Sequence, residues 1–375
     1  ASYSAQVLET LRNQYLKHTP GYLSVYCNDG FTLVEQLVPA VTAKSYTQFV
    51  QDEIFTPLGM RHSHFPLHYF PDGSFAKRYQ GAASLPQLFV NTLASGGLYS
   101  TPADMAKIAQ MFIGKGKTGN VRILAEDSVA AMAVDQTLAN FNPEKSNTWS
   151  YGLGWDTVLQ PGLGAVGVTG WQKGGDVPLG GSVLVIAPAE GLAVIVLGVS
   201  GTFSHSSAAL IAERILLRAL VEKGTIAAMP AVLKLASRPE KTPTEELLNS
   251  VSGDYAIYNS LMRVQKQDDF LHIAKYDANQ STWNDWLTGL KLRDDDRFSS
   301  DANPAVSIFF KTADGRQYLI MRYCMGYGHY QDNLIYGQKV SSAEAIPTSW
   351  RNRLGKKWLL TNEHPESSDR WTSPL

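Results

Sequence analysis

The longest apolar stretch of this 375-residue chain, Ser182–Ser200, is broken by Pro188, Glu190 and Gly191. It therefore falls short of the roughly 18 uninterrupted apolar residues of a membrane-spanning helix. It reads instead as a hairpin, with strands Ser182–Ala187 and Leu192–Leu197 joined by the turn Pro188-Ala189-Glu190-Gly191. Gly and β-branched residues dominate the whole region from Tyr151-Gly152-Leu153-Gly154-Trp155 to Gly201.

Helical patterns flank this region. Ser4–His18 places Val7, Leu8, Leu11, Tyr15 and Leu16 on one face, and Thr19-Pro20-Gly21 ends it. Phe31–Ala43 has Leu33, Val34, Leu37, Val38 and Val41 at helical spacing, with Pro39 expected to kink or end the helix. Tyr46–Phe55 predicts a further helix stopped at Pro57-Leu58-Gly59, and His62–Gln87 reads as loop. Thr101-Pro102-Ala103-Asp104 is a strong helix start: Thr101 can cap, Pro102 suits the first helical position, and Asp104 suits the positive end. That helix should reach Ile113 and stop at Gly114; Ala125–Val134 and Ser206–Val221 are expected helices as well. The first 225 residues thus mix helices with antiparallel strands, an α+β pattern.

Thr225–Glu245 carries Pro230, Pro239, Pro243 and several charges and reads as a linker. Beyond it the pattern is all-β. Gly253-Asp254-Tyr255, Phe270–Ile273, Ser307–Lys311 and Tyr318–Tyr323 are short strands, and Ala313-Asp314-Gly315-Arg316 is a tight Asp-Gly turn. Several short strands with regular turns predict a small barrel or sandwich. The expected division is 1–224, a linker at 225–246, a barrel at 247–340, and 341–375 as a tail or the start of a further β repeat. The last idea comes from a likeness between Glu245–Asn259 and Pro347–Asn362, each with an apolar pair or Trp, a Gly, an aromatic and an Asn in order.

Charge and cysteine content exclude several classes. With 33 Lys+Arg against 34 Asp+Glu the chain has no basic excess for neutralising phosphates, so no nucleic-acid partner is expected, and no membrane span. Two distant cysteines, Cys27 and Cys324, exclude a disulfide framework and a Cys-based zinc site but allow one bridge. His62-Ser63-His64 and His68 form a His-x-His-x3-His cluster that is chemically able to hold zinc, but a loop setting favours the non-metal reading. Asp294-Asp295-Asp296 lacks the spacing of a calcium loop.

Two short elements carry the chemistry. Tyr26-Cys27-Asn28 precedes a helix, and Lys173-Gly174-Gly175 precedes the hairpin. Around them stand Pro20-Gly21, Gly30-Phe31, Pro57-Leu58-Gly59-Met60, Ala94-Ser95-Gly96-Gly97-Leu98-Tyr99-Ser100-Thr101-Pro102-Ala103-Asp104 and Tyr151-Gly152-Leu153-Gly154-Trp155. In this order they resemble the serine β-lactamase and penicillin-binding-protein superfamily, on its class C β-lactamase and esterase side. The C-terminal part resembles the lipocalin-like domain that often follows this catalytic domain. The resemblance implies a β-lactamase/transpeptidase-like domain, an antiparallel sheet with helices that here lacks its N-terminal part, followed by a small all-β barrel.

The resemblance also implies a mechanism. In this family a Ser in a Ser-x-x-Lys motif attacks an acyl carbon, and the Lys with a Tyr phenol moves the proton. A cation on the edge strand favours the phenolate and binds a substrate carboxylate, while backbone N–H groups hold the oxyanion. Carried over, Tyr26 is the general base and Lys173 the electrostatic group. Asn28 binds the substrate amide or the motif Lys, Gly174 and Gly175 let the backbone approach closely, and the Asp176 N–H is an oxyanion donor. No metal or cofactor is implied. The partner is a small-molecule or peptide substrate, and an extracytoplasmic bacterial location is expected.

One departure is decisive. Residues 1–25 contain no Ser-x-x-Lys. Ser74-Phe75-Ala76-Lys77 fits the motif but lies in a Pro- and Gly-flanked loop, whereas Ser and Lys must share a helical face to meet at i, i+3. Three explanations stay open. The nucleophile belongs to a missing N-terminal piece, a second chain supplies it, or the protein is an inactive relative serving as a binding or regulatory module. The chain is accordingly expected to be a piece of a longer precursor.

Overall fold

Apolar patterning decides the architecture of the computed structural model. It describes residues 3–356 apart from 13, 15, 17, 138–140, 142–145, 147, 259, 325–327, 342–346 and 354–355. These fall into two compact units, one holding the residues up to Phe141 with Ser150–Pro230, the other 142–149 with Ala231–Leu354.

The first unit is built on three antiparallel strands, β5 (Trp171–Val177), β6 (Gly180–Ala187) and β7 (Leu192–Val199), in that order. The expected hairpin is β6–β7, with Ala187 opposite Leu192 and the turn closed by Gly191 at φ 68°. β6 is central and covered on both faces, which explains its unbroken apolar run. Leu184 and Ile186 join a core with Met111, Phe112, Trp155 and Trp171. Alternation turns Val183 and Val185 to the opposite face, where helix α10 (His205–Glu222) packs. Burying one such side chain contributes about 1.5–3 kcal/mol. The helix comes close because Gly181 lacks a side chain: a Cβ there would lie 2.3 Å from the Ser204 carbonyl carbon.

Preceding helices are α1 (Tyr3–Leu11), α2 (Asn28–Thr32), α3 (Val34–Thr42), α4 (Tyr46–Val50), α5 (Thr56–Leu58), α6 (Leu93–Gly96), α7 (Pro102–Ile113), α8 (Glu126–Met132) and α9 (Pro161–Gly164). Two minor hairpins, β1 (Tyr79–Gln80) with β2 (Ala83–Ser84) and β3 (Lys117–Thr118) with β4 (Val121–Arg122), complete the unit. Three expectations change. α1 stops at Leu11, and Leu16 is exposed. Of its apolar set Val7 is buried, so little packing exists to prolong the helix. The single helix Phe31–Ala43 is two, parted at Leu33, and Pro39 lies inside α3. The helix from Tyr46 runs past Phe55 through five π-wound residues, Gln51–Phe55, into α5, which Gly59 closes at φ 65°. By contrast α7 starts as its sequence dictates, with the Asp104 N–H donating to Thr101 Oγ1 at 3.2 Å.

The second unit is a closed eight-stranded antiparallel barrel preceded by helix α11 (Glu245–Val251). Its strands are β8 (Gly253–Ala256), β9 (Leu261–Gln267), β10 (Phe270–Asp277), β11 (Thr282–Leu292), β12 (Phe298–Ser299), β13 (Val306–Ala313), β14 (Arg316–Cys324) and β15 (Gln331–Lys339). The Asp-Gly turn joins β13 to β14, with Asp314 at φ 50° and Gly315 at φ 69°. Tyr255, Met262, Ile273, Phe298 and Leu319 fill the interior. Residues read as linker are bound to this unit: Leu233 N donates to Gly328 O, and Lys241 N to Leu292 O, each at 2.9 Å. Of the proposed second repeat, Pro347–Asn362, one half lies outside the described residues.

Candidate active site

Tyr26 ends a stretch without regular secondary structure, and Cys27 stands at the N-cap of α2 with backbone angles of −145° and 108°. Asn28 is the first residue of α2; its carbonyl accepts the Thr32 hydroxyl at 3.2 Å, and its exposed side chain has no hydrogen bond among the described residues. Tyr26 is half exposed, and its hydroxyl likewise meets no partner among the described residues. The fold brings Lys173 to it across 147 positions of sequence, 173 minus 26, with Nζ 5.6 Å from the centre of the Tyr26 ring.

Lys173, Gly174 and Gly175 lie within β5. β5 is an edge strand, so one row of its backbone groups faces away from β6. The Gln172 N–H donates outward to Thr157 O at 2.8 Å and the Gly174 N–H to Asp156 Oδ2 at 2.7 Å. Alternation turns the Asp176 N–H to the same outer edge. The Asp176 side chain is held on the opposite face from Lys173. Its Oδ1 accepts the His205 backbone N–H at 2.6 Å, and its Oδ2 pairs with His205 Nδ1. The His205 ring packs against Gly174, where a Cβ would lie 3.2 Å from the His205 Cβ.

Two residues of this arrangement escaped the sequence reading. Asp156 is buried and holds Lys173, with Oδ1 3.2 Å from Nζ. It follows Tyr151-Gly152-Leu153-Gly154-Trp155 directly, but no spacing tied it to a Lys 17 positions on. From sequence alone His205, at the start of the helix expected over Ser206–Val221, reads as a cap or surface group. Ser204 is the actual cap, accepting from Ser207 N at 3.3 Å, and His205 is the tie to Asp176.

Ser74 and Lys77 do not form a nucleophile pair. They lie in non-helical chain, the Ser74 hydroxyl donates to Pro71 O at 2.6 Å, and Lys77 Nζ faces Asp72 at 3.9 Å. His64 is engaged in a backbone bridge with Tyr99, and the His62 N–H donates to Asp104 at 2.7 Å. Among the described residues no group of three or more His, Cys, Asp or Glu is placed to hold a metal ion. Cys27 is exposed and Cys324 buried, and no disulfide joins them. No described helix is long and apolar enough to cross a membrane.

A helix-backed antiparallel sheet with an edge-strand Lys-Gly-Gly facing a Tyr-x-Asn segment defines a protein of the β-lactamase and penicillin-binding-protein class. The Beta-lactamase family model matches residues 1–220, and the chain belongs to that family. A protein of Salmonella schwarzengrund (strain CVM19633) named "Putative D-alanyl-D-alanine carboxypeptidase" is 24% identical over 226 residues, covering 51% of this chain and 48% of its own. Its Salmonella paratyphi B (strain ATCC BAA-1250 / SPB7) counterpart matches to the same extent. The chain thus spans about half the length of the curated relatives it matches. The solved structure of SurE with D-Leu is 20% identical, covering 88% of this chain and 72% of that one at a TM-score of 0.57, which is a likeness of fold.

Proposed function

We propose that Tyr26, Asn28, Lys173, Gly174, Gly175 and Asp176 are one half of a serine acyl-transfer site that hydrolyses an amide or ester. The reading covers peptidase, D-amino-acid peptidase and esterase activities. The juxtaposition of Lys173 and Tyr26 carries it. The nucleophile is a Ser of a Ser-x-x-Lys segment outside residues 1–375 or on a second chain. Its oxygen bonds to the acyl carbon while its proton passes to Tyr26, which then protonates the departing amine or alcohol. The Asp176 N–H, on the outer edge of β5, is one donor to the oxyanion. Water completes the cycle by releasing the acid. A bacterial extracytoplasmic location belongs to the same reading.

The outer edge of β7 supports a nucleophile from elsewhere. Among the described residues it pairs with no strand, and Leu197 and Val199 are more than a third exposed. Unpaired apolar edges of this length are normally covered by another segment. The test is covalent labelling of the native assembly by a fluorophosphonate or a penicillin. Labelling is expected, slowed about 100-fold or more in Tyr26→Phe and Lys173→Ala, the usual scale of a lost proton-transfer group. Equal rates in both variants would remove these residues from the site. No labelling in any native preparation would favour the inactive, binding-module reading.

A further inference from the structure

The resemblance gives Lys173 the task of binding a substrate carboxylate, yet its surroundings oppose that task. The ammonium lies 3.2 Å from Asp156 Oδ1 and 3.4 Å from Oδ2, and it also donates to the Gly174 carbonyl. Of the three donors of the ammonium, two are given to protein acceptors, Asp156 Oδ2 and the Gly174 carbonyl. The Asp156 side chain is 9% exposed while that of Lys173 is 35% exposed. The negative charge therefore sits behind the Lys and faces away from solvent. The Gly174 N–H donates to the same carboxylate, so Asp156 is fixed from two sides. The other acid, Asp176, is spent on His205. The Lys173–Asp156 pair is neutral as a unit, and a carboxylate approaching Lys173 also meets the Asp156 charge.

We infer that Asp156 sets the charge preference of this site, which takes an amide or ester lacking a free carboxylate beside the Lys173 ammonium. The inference rests on the acyl-transfer reading above. Asp156 acts through Lys173 and is a positioning residue, not a catalytic one. A ligand that presents a neutral amide or ester there loses nothing to Asp156. A ligand that ends in a carboxylate must displace Asp156 from Lys173 or accept the repulsion.

The test compares binding of N-acetyl-D-alanyl-D-alanine with its C-terminal amide, by calorimetry on the native assembly and on Asp156→Asn. Asparagine keeps an oxygen for the Gly174 N–H and removes the charge. Wild type is expected to bind the amide at least as tightly as the acid. Asp156→Asn should gain about tenfold for the acid, the size of one charge-assisted hydrogen bond, with the amide unchanged. The gain should vanish in Asp156→Asn/Lys173→Met. Wild-type preference for the acid by tenfold, or an equal change for both ligands in Asp156→Asn, overturns the inference and leaves the acyl-transfer reading standing. Binding of neither ligand by either folded protein, with no covalent labelling, overturns the acyl-transfer reading and the inference with it. Melting temperature checks that each variant is folded.

Discussion

Asp104 offers the sharpest test of how the first unit is held together. It is 2% exposed and takes three donors from two parts of the chain, His62–Ser63 and Lys107. The His62 N–H lies at 2.7 Å, the Ser63 hydroxyl at 3.0 Å and Lys107 Nζ at 2.9 Å. Replacing Asp104 with Ala strips all three. Ser63 retains Ser100 at 2.8 Å and Lys107 retains the Gly59 carbonyl, so those losses are partial. The His62 N–H loses the one acceptor it has among the described residues, a hydrogen bond to a charged group worth about 1.5–3 kcal/mol. The half-open ion pair with Lys107 adds at most about 1 kcal/mol. The total should be about 2–4 kcal/mol, read as a lower urea midpoint at unchanged slope. A loss below about 1 kcal/mol would refute the assignment of Asp104 as the anchor of the His62–Ser63 loop. The same group gives a pH signature. Burial alone would raise its pKa, but the hydrogen bonds from Lys107, the His62 N–H and Ser63 outweigh burial and hold it below the usual carboxylate value. Its contribution is thus present above the unfolded value, near pH 4, and is lost as pH falls through the lower folded value. The stability of wild type should therefore fall more steeply than that of Asp104→Ala as pH is lowered below about 4.

Gly181→Ala should destabilise the first unit by about 1–3 kcal/mol or more, because its methyl would sit 2.3 Å from Ser204 C and 2.5 Å from His205 N, both backbone atoms; an unchanged melting temperature would contradict this packing. Tyr255→Phe in the barrel removes a fully buried hydroxyl that donates to Val251 O at 2.7 Å and lies 2.9 Å from Gln317 Oε1. A loss of about 1–3 kcal/mol is expected in urea, and a neutral result would mean that water or a shifted side chain satisfies Val251 O.

What the sequence revealed follows the range of the forces involved. Local chemistry was legible: Thr101-Pro102 at a helix start, the Asp-Gly turn between β13 and β14, and the interrupted apolar run that became β6 and β7. Strands whose outward residues are charged were not. β9 reads Leu-Met-Arg-Val-Gln-Lys-Gln, and its inward set reduces to Met262 and Val264, too few to register as a strand pattern. β11 carries Asp285 and Lys291 and was overlooked for the same reason. Leu8, Leu11 and Leu16 failed in the opposite direction: their spacing is helical, but they stay 43%, 43% and 80% exposed, and periodicity cannot report what lies on the other side.

The candidate site shows the same division at finer scale. Residue types and motif order marked Tyr26 and Lys173, but strand parity decides what each neighbour does. Lys173 and Asp176 are three residues apart on β5 and so point to opposite faces, one toward Tyr26 and the other toward α10. The outward N–H groups of Gln172 and Gly174 are taken by Thr157 and Asp156. No acceptor among the described residues meets the Asp176 N–H, the next in that row. The proposed oxyanion donor therefore stands where the cover over β5 ends, and the bonds from its carboxylate to His205 fix the backbone that presents it. Neither the cover nor the tether has a spacing signature, since both come from segments 15 to 29 residues away that only the folded sheet brings alongside.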